Sequence, residues 1–132
     1  MSGACVRTVI RVRYVECDPM GVAHHSAYPV WFEMGRTELL RGAGIEYTTL
    51  EEDGIFLAVV TLEVTYKSPA RYDDLLDLET CLVDCGHVKI EHHYTLRRGK
   101  DVLATARTVL ACVGTDGRPM KVPSKLAAAS LE

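Results

Sequence analysis

The segment YVECDPMGVAHHSAYPVWFE, residues 14–33, joins a predicted strand to the most apolar helix of the chain. Asp18 stands where the strand is expected to end, and a Pro-Met-Gly turn follows it. Two histidines, His24 and His25, come next, and the apolar run starts at Ser26. The segment therefore places an acid, a tight turn and the start of a buried helix within a short distance along the chain.

The central helix is predicted to cover residues 27–41, with Ser26 as its N-cap. Its apolar residues recur at helical spacing on a wide surface, so the helix is expected to be largely enclosed. Gly35 is a poor helix former, and at mid-helix it predicts a close backbone approach to a sheet. Glu33 is expected to pair with Arg36, three residues further on.

Five strands are predicted from the alternation of apolar and polar residues. The first precedes the helix, and the other four follow a short helical turn at residues 46–54. The strand ranges are 6–16, 57–67, 75–84, 88–97 and 102–113, and the tail at 123–132 is expected to form a short helix. Because tight turns join most successive strands, the sheet is expected to be antiparallel rather than doubly wound and parallel. The chain is thus assigned to the α+β class, with a sheet curled around one buried helix.

Length and composition favour one ordinary globular domain over residues 1–132, with 48% hydrophobic and 25% charged residues. The formal net charge of −3 argues against a nucleic-acid partner. No apolar stretch approaches the roughly 20 residues that a membrane span needs. Arg7, Arg11 and Arg13 interrupt the N-terminal segment, so no signal core is expected there.

The five cysteines are odd in number, and their spacings match no zinc or disulfide framework. They are therefore predicted to be reduced thiols of a cytoplasmic protein, most of them acting as small hydrophobic residues. Cys81 and Cys85 lie four residues apart, but no second ligand pair is spaced to complete a metal site, so none is expected. His92 lies on an apolar strand face and is predicted to be a satisfied core histidine.

The chemistry available at residues 14–33 points to acyl transfer. A helix N-terminus presents unpaired N–H groups that can polarise a carbonyl and stabilise an oxyanion. The Asp18 carboxylate could activate water or attack directly. Asp18 could equally be a turn former, and His24 and His25 could be surface residues or partners of a carboxylate. Cys17 is expected to face away from Asp18, since neighbouring strand residues alternate.

The stretch RVRYVECDPMGVAHHSAYPVWFEMGRTELLR, residues 11–41, resembles the signature of the 4-hydroxybenzoyl-CoA thioesterase/YbgC-type acyl-CoA thioesterases. That pattern runs roughly Y-x-(D/E)-x-D-x-x-G-(V/I)-(V/A)-(Y/H)-H-x-x-Y, followed by an aromatic pair and acid-x-x-Arg. The matching positions are Tyr14, Glu16, Asp18, Gly21, Val22, His24, His25, Tyr28, Trp31, Phe32, Glu33 and Arg36. The resemblance continues through residues 54–80, including Tyr-x-x-Pro-Ala-Arg, and so covers most of the chain. Met20 departs from the small residues common there, which would narrow the pocket or shift acyl preference.

The resemblance implies a hotdog fold, with a five-stranded antiparallel sheet around one long helix. It implies homodimers or homotetramers with active sites between subunits, and hydrolysis of an acyl-CoA or acyl-carrier-protein thioester without metal or cofactor. Asp18 would be the nucleophile or general base. The N–H near His25 would polarise the carbonyl, and its side chain would orient substrate or water. Substrate contacts are implied at Tyr14, Gly21, Val22, His24, Tyr28 and Arg71, and the CoA phosphates near Arg71, Arg97, Arg98 or Lys100.

Two other functions stay open on this fold. A non-catalytic acyl-CoA or acyl-carrier binding module would share it, although the presence of Asp18 and His25 argues against that alternative. A hydratase or dehydratase would also pair an acid with a histidine. The dehydratase His–Phe–Pro-type motif is absent, and DPMGVAH does not match the hydratase Asp–Asn–Pro–His pattern.

Overall fold

The structure, a computed structural model, describes residues 4–129 and contains five strands and three α-helices in that range. The strands are β1 (Cys5–Arg11), β2 (Phe56–Tyr66), β3 (Leu75–Cys85), β4 (Lys89–Arg98) and β5 (Asp101–Val113). The helices are α1 (Ala27–Gly42), α2 (Tyr47–Glu52) and α3 (Ser124–Ala129). The predicted tail helix is thus present over most of its length, and residues 130–132 lie outside the described part.

The strands form one antiparallel sheet in the order β1-β3-β4-β5-β2. β3, β4 and β5 follow one another through short turns, whereas β1 and β2 occupy the two edges. The α+β prediction and the hotdog fold that the resemblance implied are both confirmed. No helix among residues 4–129 is long and apolar enough to cross a membrane.

Helix α1 presents pairs of buried residues to the sheet every four positions. The buried set is Ala27, Tyr28, Trp31, Phe32, Gly35, Arg36, Leu39 and Leu40. The predicted close approach at Gly35 is confirmed, because a Cβ atom built there would collide with Thr80 Oγ1 on β3. The helix is less enclosed than expected, because half of its residues are buried and the apolar Val30 and Met34 are 49% and 43% exposed.

The core has two parts, one under each half of α1. Trp31 and Phe32 pack in the first part, which also holds Leu76, Leu78, Tyr94, Leu96 and Leu103. The second part lies under the C-terminal half of α1 and includes Leu39, Leu40, Leu50, Leu82, Ile90 and Leu126. The first part thus anchors the segment that leads into α1.

The first strand is shorter than predicted, because it ends at Arg11. Beyond it, the Val12 N–H donates to the Asp74 carbonyl at 3.0 Å. Residues Tyr14–Glu16 form a 3₁₀ turn, which the Glu16 carboxylate closes by accepting from the Arg13 N–H at 2.7 Å. One contact distant in sequence and one local turn therefore replace the last part of the expected strand.

The prediction of reduced thiols is wrong for two of the five cysteines. Cys5 and Cys81 face each other across β1 and β3, with Cα atoms 4.0 Å apart, and form a disulfide. Cys17, Cys85 and Cys112 are free thiols. Sequence spacing could not reveal the pair, because 76 positions separate its members and the strand register brings them together.

The expected Glu33–Arg36 ion pair is also wrong. Arg36 turns toward the sheet, where its Nη1 donates to the Tyr94 hydroxyl at 3.1 Å. Glu33 lies on the exposed side of α1. The two residues are three positions apart, but one side chain is buried and the other exposed, and no ion pair joins them.

Candidate active site

The loop between β1 and α1 is closed on itself. Cys17 and Ala23 pair as an isolated antiparallel bridge, and the Asp18 N–H donates to the Val22 carbonyl at 2.9 Å. Inside this bridge, the Gly21 N–H returns to the Asp18 carbonyl at 2.9 Å. Gly21 has φ +79°, a conformation that residues with a Cβ rarely adopt, which explains a glycine at this position.

The Asp18 carboxylate stabilises this turn through one of its oxygens. Oδ1 accepts from the Met20 N–H at 2.9 Å and from the Val22 N–H at 3.4 Å. The turn-forming interpretation of Asp18 is therefore confirmed. Its other oxygen makes no hydrogen bond within the described residues, and the side chain is partly exposed, so that oxygen is free to act on a ligand.

Glu16 holds the loop against the helix. Its carboxylate is 7% exposed and accepts from the Trp31 indole N–H at 2.9 Å and from the Arg13 guanidinium at 3.1 Å. Burial would raise the pKa of Glu16, but the hydrogen bonds from the Arg13 backbone, the Arg13 guanidinium and Trp31 together lower it. Glu16 is therefore an ionised anchor that ties the loop to α1.

The first amides of α1 differ in whether they are paired. The Ala27 N–H donates to the His24 carbonyl at 3.0 Å and the Tyr28 N–H to the His25 carbonyl at 3.4 Å. The Ser26 N–H donates to His24 Nδ1 at 3.2 Å. The His25 N–H has no hydrogen-bond partner in the described part of the chain, so it can donate to a ligand.

Ser26 occupies the N-cap position but does not cap in the expected way. Its hydroxyl lies 2.8 Å from His24 Nδ1 and makes no cap hydrogen bond to the helix backbone. The His24 ring in turn stacks at a tilt on the His25 ring, with centroids 4.2 Å apart. The histidine pair is therefore a packed unit at the start of α1, and both side chains are exposed.

The end of β2 reaches the same point. The Tyr66 hydroxyl donates to the His25 carbonyl at 3.0 Å, and its ring meets Tyr28 edge-on at 4.8 Å. Tyr66 had no predicted role, although it is the tyrosine that opens the Tyr-x-x-Pro-Ala-Arg pattern. Tyr28 itself is 3% exposed and lies beneath this contact.

Two further residues predicted to contact substrate, Arg71 and Tyr14, differ in how they are connected to the loop. Val22 pairs with Arg71 as an isolated bridge, so the backbone brings Arg71 directly beside the turn. Tyr14 is 81% exposed and meets Tyr72 edge-on at 5.7 Å.

The other basic candidates differ in whether they are already paired. Arg97 contacts Glu79 at 3.4 Å, and Arg98 contacts Asp74 at 2.7 Å. Arg71 and Lys100 make no ion pair among residues 4–129. Arg71 is therefore the basic side chain that is both beside the turn and uncommitted.

The region around the turn is open rather than enclosed. None of the five principal cavities of the described chain is lined by Asp18 or His25. The neighbouring edge of the sheet is apolar and exposed, with Val59 49%, Val60 52% and Leu62 43% accessible. In a single chain, the polar groups of the site are therefore open to solvent on the side of this edge, where no protein wall encloses them.

One group of side chains has the donor types of a metal site. The Cys5 and Cys81 sulfurs and a Glu79 oxygen lie within 4.8 Å of one another. Because the two sulfurs are bonded to each other, they do not offer the thiolates that bind metals.

Together, the sheet around one helix and the acid-bearing turn at the helix start define the architecture of a hotdog thioesterase. Residues 12–130 match the sequence model of the thioesterase-like superfamily. The chain belongs to that superfamily.

Named relatives and a solved structure agree with this membership. The acyl-CoA thioesterase YbgC of Haemophilus influenzae is 34% identical over 122 residues, which are 91% of this chain and 90% of that protein. The putative acyl-CoA thioesterase YneP of Bacillus subtilis is 36% identical over 85 residues, 64% of this chain and 62% of its own length. The crystal structure of the hypothetical protein TT1821 from Thermus thermophilus superposes with a TM-score of 0.89 at 34% identity, covering 94% of this chain and 95% of that one. Thioester hydrolysis, the class of enzyme predicted from the sequence, is the activity that the two named relatives carry in their names.

Proposed function

We propose that this chain hydrolyses acyl-CoA thioesters to the free acid and CoA, as a single thioesterase domain spanning residues 1–132. The observation that carries the proposal is the presence on one loop of two groups without a hydrogen-bond partner among the described residues, the second oxygen of Asp18 and the N–H of His25. One is a carboxylate and the other a hydrogen-bond donor at a helix start, and acyl transfer needs both kinds of group. The names of the relatives support CoA as the thiol carrier, and acyl carrier protein is the alternative.

In the proposed reaction, the thioester carbonyl oxygen accepts from the His25 N–H, which stabilises the negative charge of the tetrahedral intermediate. As a general base, Asp18 takes a proton from water, the hydroxide adds to the carbonyl carbon, and the C–S bond breaks. The thiolate leaves and recovers a proton. As a nucleophile, Asp18 would instead form a mixed anhydride, release the thiolate, and be freed by water. Neither route uses a metal or cofactor.

The remaining substrate contacts are proposed from the positions around this loop. The His25 ring would orient substrate or water. Substrate would contact Tyr14, Gly21, Val22, His24, Tyr28 and Arg71, with Arg71 facing a CoA phosphate. The pairing of Arg71 with Val22 supports this placement, since it puts a charged side chain next to the turn.

We infer that a second copy of the chain completes the site. The support is the exposed apolar edge at β2, which lines a common cavity with Val30 of α1, beside a site that lacks one wall. An unpaired strand edge of this kind joins readily to another strand. The proposed assembly is a homodimer through β2 or a homotetramer of two such dimers, in the cytoplasm.

A thiol-release screen over short, medium, long and aromatic acyl-CoAs tests the function, with Asp18→Asn beside the wild type. Asparagine keeps an oxygen for the Met20 and Val22 amides, so the loop should persist while the charge is lost. The expected result is a loss of at least about a hundredfold in kcat/KM, within the range for removing an acid–base group. Asp116→Asn is the matched control, because Asp116 also accepts the N–H two residues ahead, from Arg118 at 3.0 Å.

The alternatives give different results in the same screen. Normal turnover by Asp18→Asn would rule out the assigned role of the acid. Calorimetric binding of acyl-CoA without thiol release would favour a non-catalytic binding module. Hydration of an enoyl-CoA would favour the hydratase.

A further inference from the structure

Arg36 is a buried cation that no acid of the described chain neutralises. It is 7% exposed, and no carboxylate among residues 4–129 lies within ion-pair distance of its guanidinium. Its Nη1 donates to the Tyr94 hydroxyl at 3.1 Å, the Tyr47 hydroxyl interacts with the same group, and its Nε has no partner. Removing a charge from water is costly unless an opposite charge and full hydrogen bonding compensate it.

The groups around Arg36 form a polar cluster inside an apolar core. The Arg36 cluster consists of Arg36, Tyr47, His92, Tyr94 and Thr108. The Tyr94 hydroxyl lies 2.6 Å from Thr108 Oγ1, and His92 is 4% exposed with an unpartnered Nδ1. The prediction of a satisfied core histidine is therefore correct for burial and wrong for hydrogen bonding.

The cluster has one formal charge and no compensating one. Burial, together with the positive charges of Arg36 and His93, lowers the pKa of His92 to about 3, so the imidazole is neutral near pH 7. The tyrosine and threonine hydroxyls are neutral as well. Two buried atoms, Arg36 Nε and His92 Nδ1, have no hydrogen-bond partner. The cluster therefore lacks an anion to balance its charge and a partner for each of these two atoms.

Cavities open onto this cluster from three sides. A cavity of about 200 Å³ between α1 and β2 is lined by Arg36 and Thr108, with Val30, Phe32, Val59 and Leu62 among its walls. A cavity of about 500 Å³ reaches Arg36 and Tyr47 beside α2. A third, of about 420 Å³, reaches Tyr47 and His92 under the C-terminal half of α1.

The charges at the cavity mouths favour entry between α1 and β2. The cavity beside α2 also carries Glu33, Glu46 and Glu51, which are exposed and would repel an anion at its rim. The cavity between α1 and β2 has one acid, Glu33, and otherwise apolar walls around Arg36 and Thr108. Its volume is somewhat larger than the 150 Å³ or so of an engineered cavity that accepts benzene.

We propose that the Arg36 cluster binds the carboxylate of a small organic acid, whose apolar body occupies the cavity between α1 and β2. The carboxylate neutralises the guanidinium and accepts from its Nε, and the volume fits one ring or a short alkyl chain. Two sources share this chemistry. One is a free acid, such as a product of thioester hydrolysis, and the other is the distal carboxylate of an acyl-CoA made from a dicarboxylic acid.

The direct test is calorimetric titration of the purified full chain with benzoate and with butanoate. Benzamide serves as the neutral isostere of benzoate. We expect saturable binding of at least one acid, no binding of the amide, and a rise of about tenfold or more in Kd for Arg36→Gln. Arg41→Gln is the matched control, since Arg41 lies on the same helix, is exposed and pairs with Glu38; its Kd should not change.

Folding and assembly are measured on the same samples. Replacing a buried charge by an apolar side chain is often neutral or stabilising, so Arg36→Met should melt at or above the wild-type temperature while losing acid binding. Binding of benzoate with equal affinity by wild type, Arg36→Gln and Arg36→Met would overturn the proposal. Absence of binding to the wild type would also overturn the proposal. If an oligomer then dissociated in Arg36→Gln, the result would assign Arg36 to an acid of a second copy.

The two sources are separated by kinetics. Competitive inhibition by the free acid that is lost in Arg36→Gln supports a product site. A preference for a carboxyl-terminated acyl-CoA over its methyl ester, abolished in Arg36→Gln, supports the distal carboxylate. The titration requires no hydrolysis, so a failure of the proposed thioesterase activity would leave the binding result unaffected.

Discussion

The Tyr66 hydroxyl donates a hydrogen bond of 3.0 Å to the carbonyl oxygen of His25. The same carbonyl accepts the N–H of Tyr28 inside the first turn of α1. The His25 backbone is therefore fixed from the end of β2 as well as from the helix, while its own N–H has no hydrogen-bond partner among the described residues. A donor held in this way is pre-organised for an oxyanion, which is the condition under which such a group contributes most to catalysis.

Tyr66→Phe removes the bond from the edge strand and leaves the ring in place. We expect kcat for the best acyl-CoA to fall by about two- to tenfold, in line with the roughly 0.5–1.5 kcal/mol of one neutral hydrogen bond. The melting temperature should change little, because Tyr66 is 47% exposed. Steady-state kinetics and a thermal melt provide the check, with Tyr72→Phe, 55% exposed, as the control tyrosine. Unchanged kcat would remove Tyr66 from the positioning role.

Glu16→Gln tests the anchor between the loop and α1. Its folded pKa is lowered, so its ionised form stabilises the fold fully above its unfolded value of 4.5, and this contribution is lost as the pH falls through the lower folded value. We expect Glu16→Gln to cost about 1–3 kcal/mol at pH 7 and progressively less below pH 4.5. Urea unfolding followed by Trp31 fluorescence at several pH values measures both.

A matched control for Glu16 lies on the helix surface. Glu38→Gln removes an exposed acid paired with Arg41, and such pairs contribute little, so its effect should stay within about 0.5 kcal/mol at every pH. An equal effect of the two substitutions would mean that burial and the indole contact add nothing to Glu16.

Gly35→Ala tests the close approach of α1 to the sheet. The added methyl group would meet Thr80 Oγ1, so the helix or the strand must shift, and overpacking of this kind costs about 1–3 kcal/mol. Gly42→Ala is the matched control on the same helix, with open space around the new methyl group, and should be neutral or stabilising. Denaturant melts give both values, and recovery of stability in the Gly35→Ala/Thr80→Ala double variant would identify Thr80 as the obstacle.

The cross-strand disulfide makes a prediction about thiol counts and stability. Protein purified without reductant and then unfolded should expose three reactive thiols, those of Cys17, Cys85 and Cys112. After reduction, all five cysteines should react. Reduction should lower the free energy of unfolding by about 2–4 kcal/mol, because the bond closes a long loop. Cys17→Ser should leave this difference unchanged. Five reactive thiols without reductant would contradict the pairing.

Local periodicity was sufficient for the elements that depend on one face being buried. The alternation in β3 to β5 and the four-residue repeat of α1 follow directly from such faces, and the strand bounds predicted there agree within a residue or so. The close approach at Gly35 could be predicted for the same reason, since a glycine inside an apolar helix indicates that the sheet packs close to the helix backbone there.

Features set by long-range contacts were not accessible in this way. The end of β1 is decided by Val12 bonding to Asp74, and the disulfide by the register that places Cys5 against Cys81. Arg36 turns inward because Tyr94 lies on a strand 58 positions away. In the site, the turn at Asp18 followed from composition, whereas the contribution of Tyr66 required the sheet order that brings β2 to the start of α1.

The two edges of the sheet are secured very differently. β1 is tied to β3 by a covalent bond as well as by its ladder, whereas β2 is held by β5 on one side and carries a bulge between Val59 and Thr61. Deuterium uptake along β2 therefore reports directly on whether another strand lies beside it. If exchange along β2 is rapid at low protein concentration and slows when the sample is concentrated, this edge is the one that pairs with a second copy of the chain.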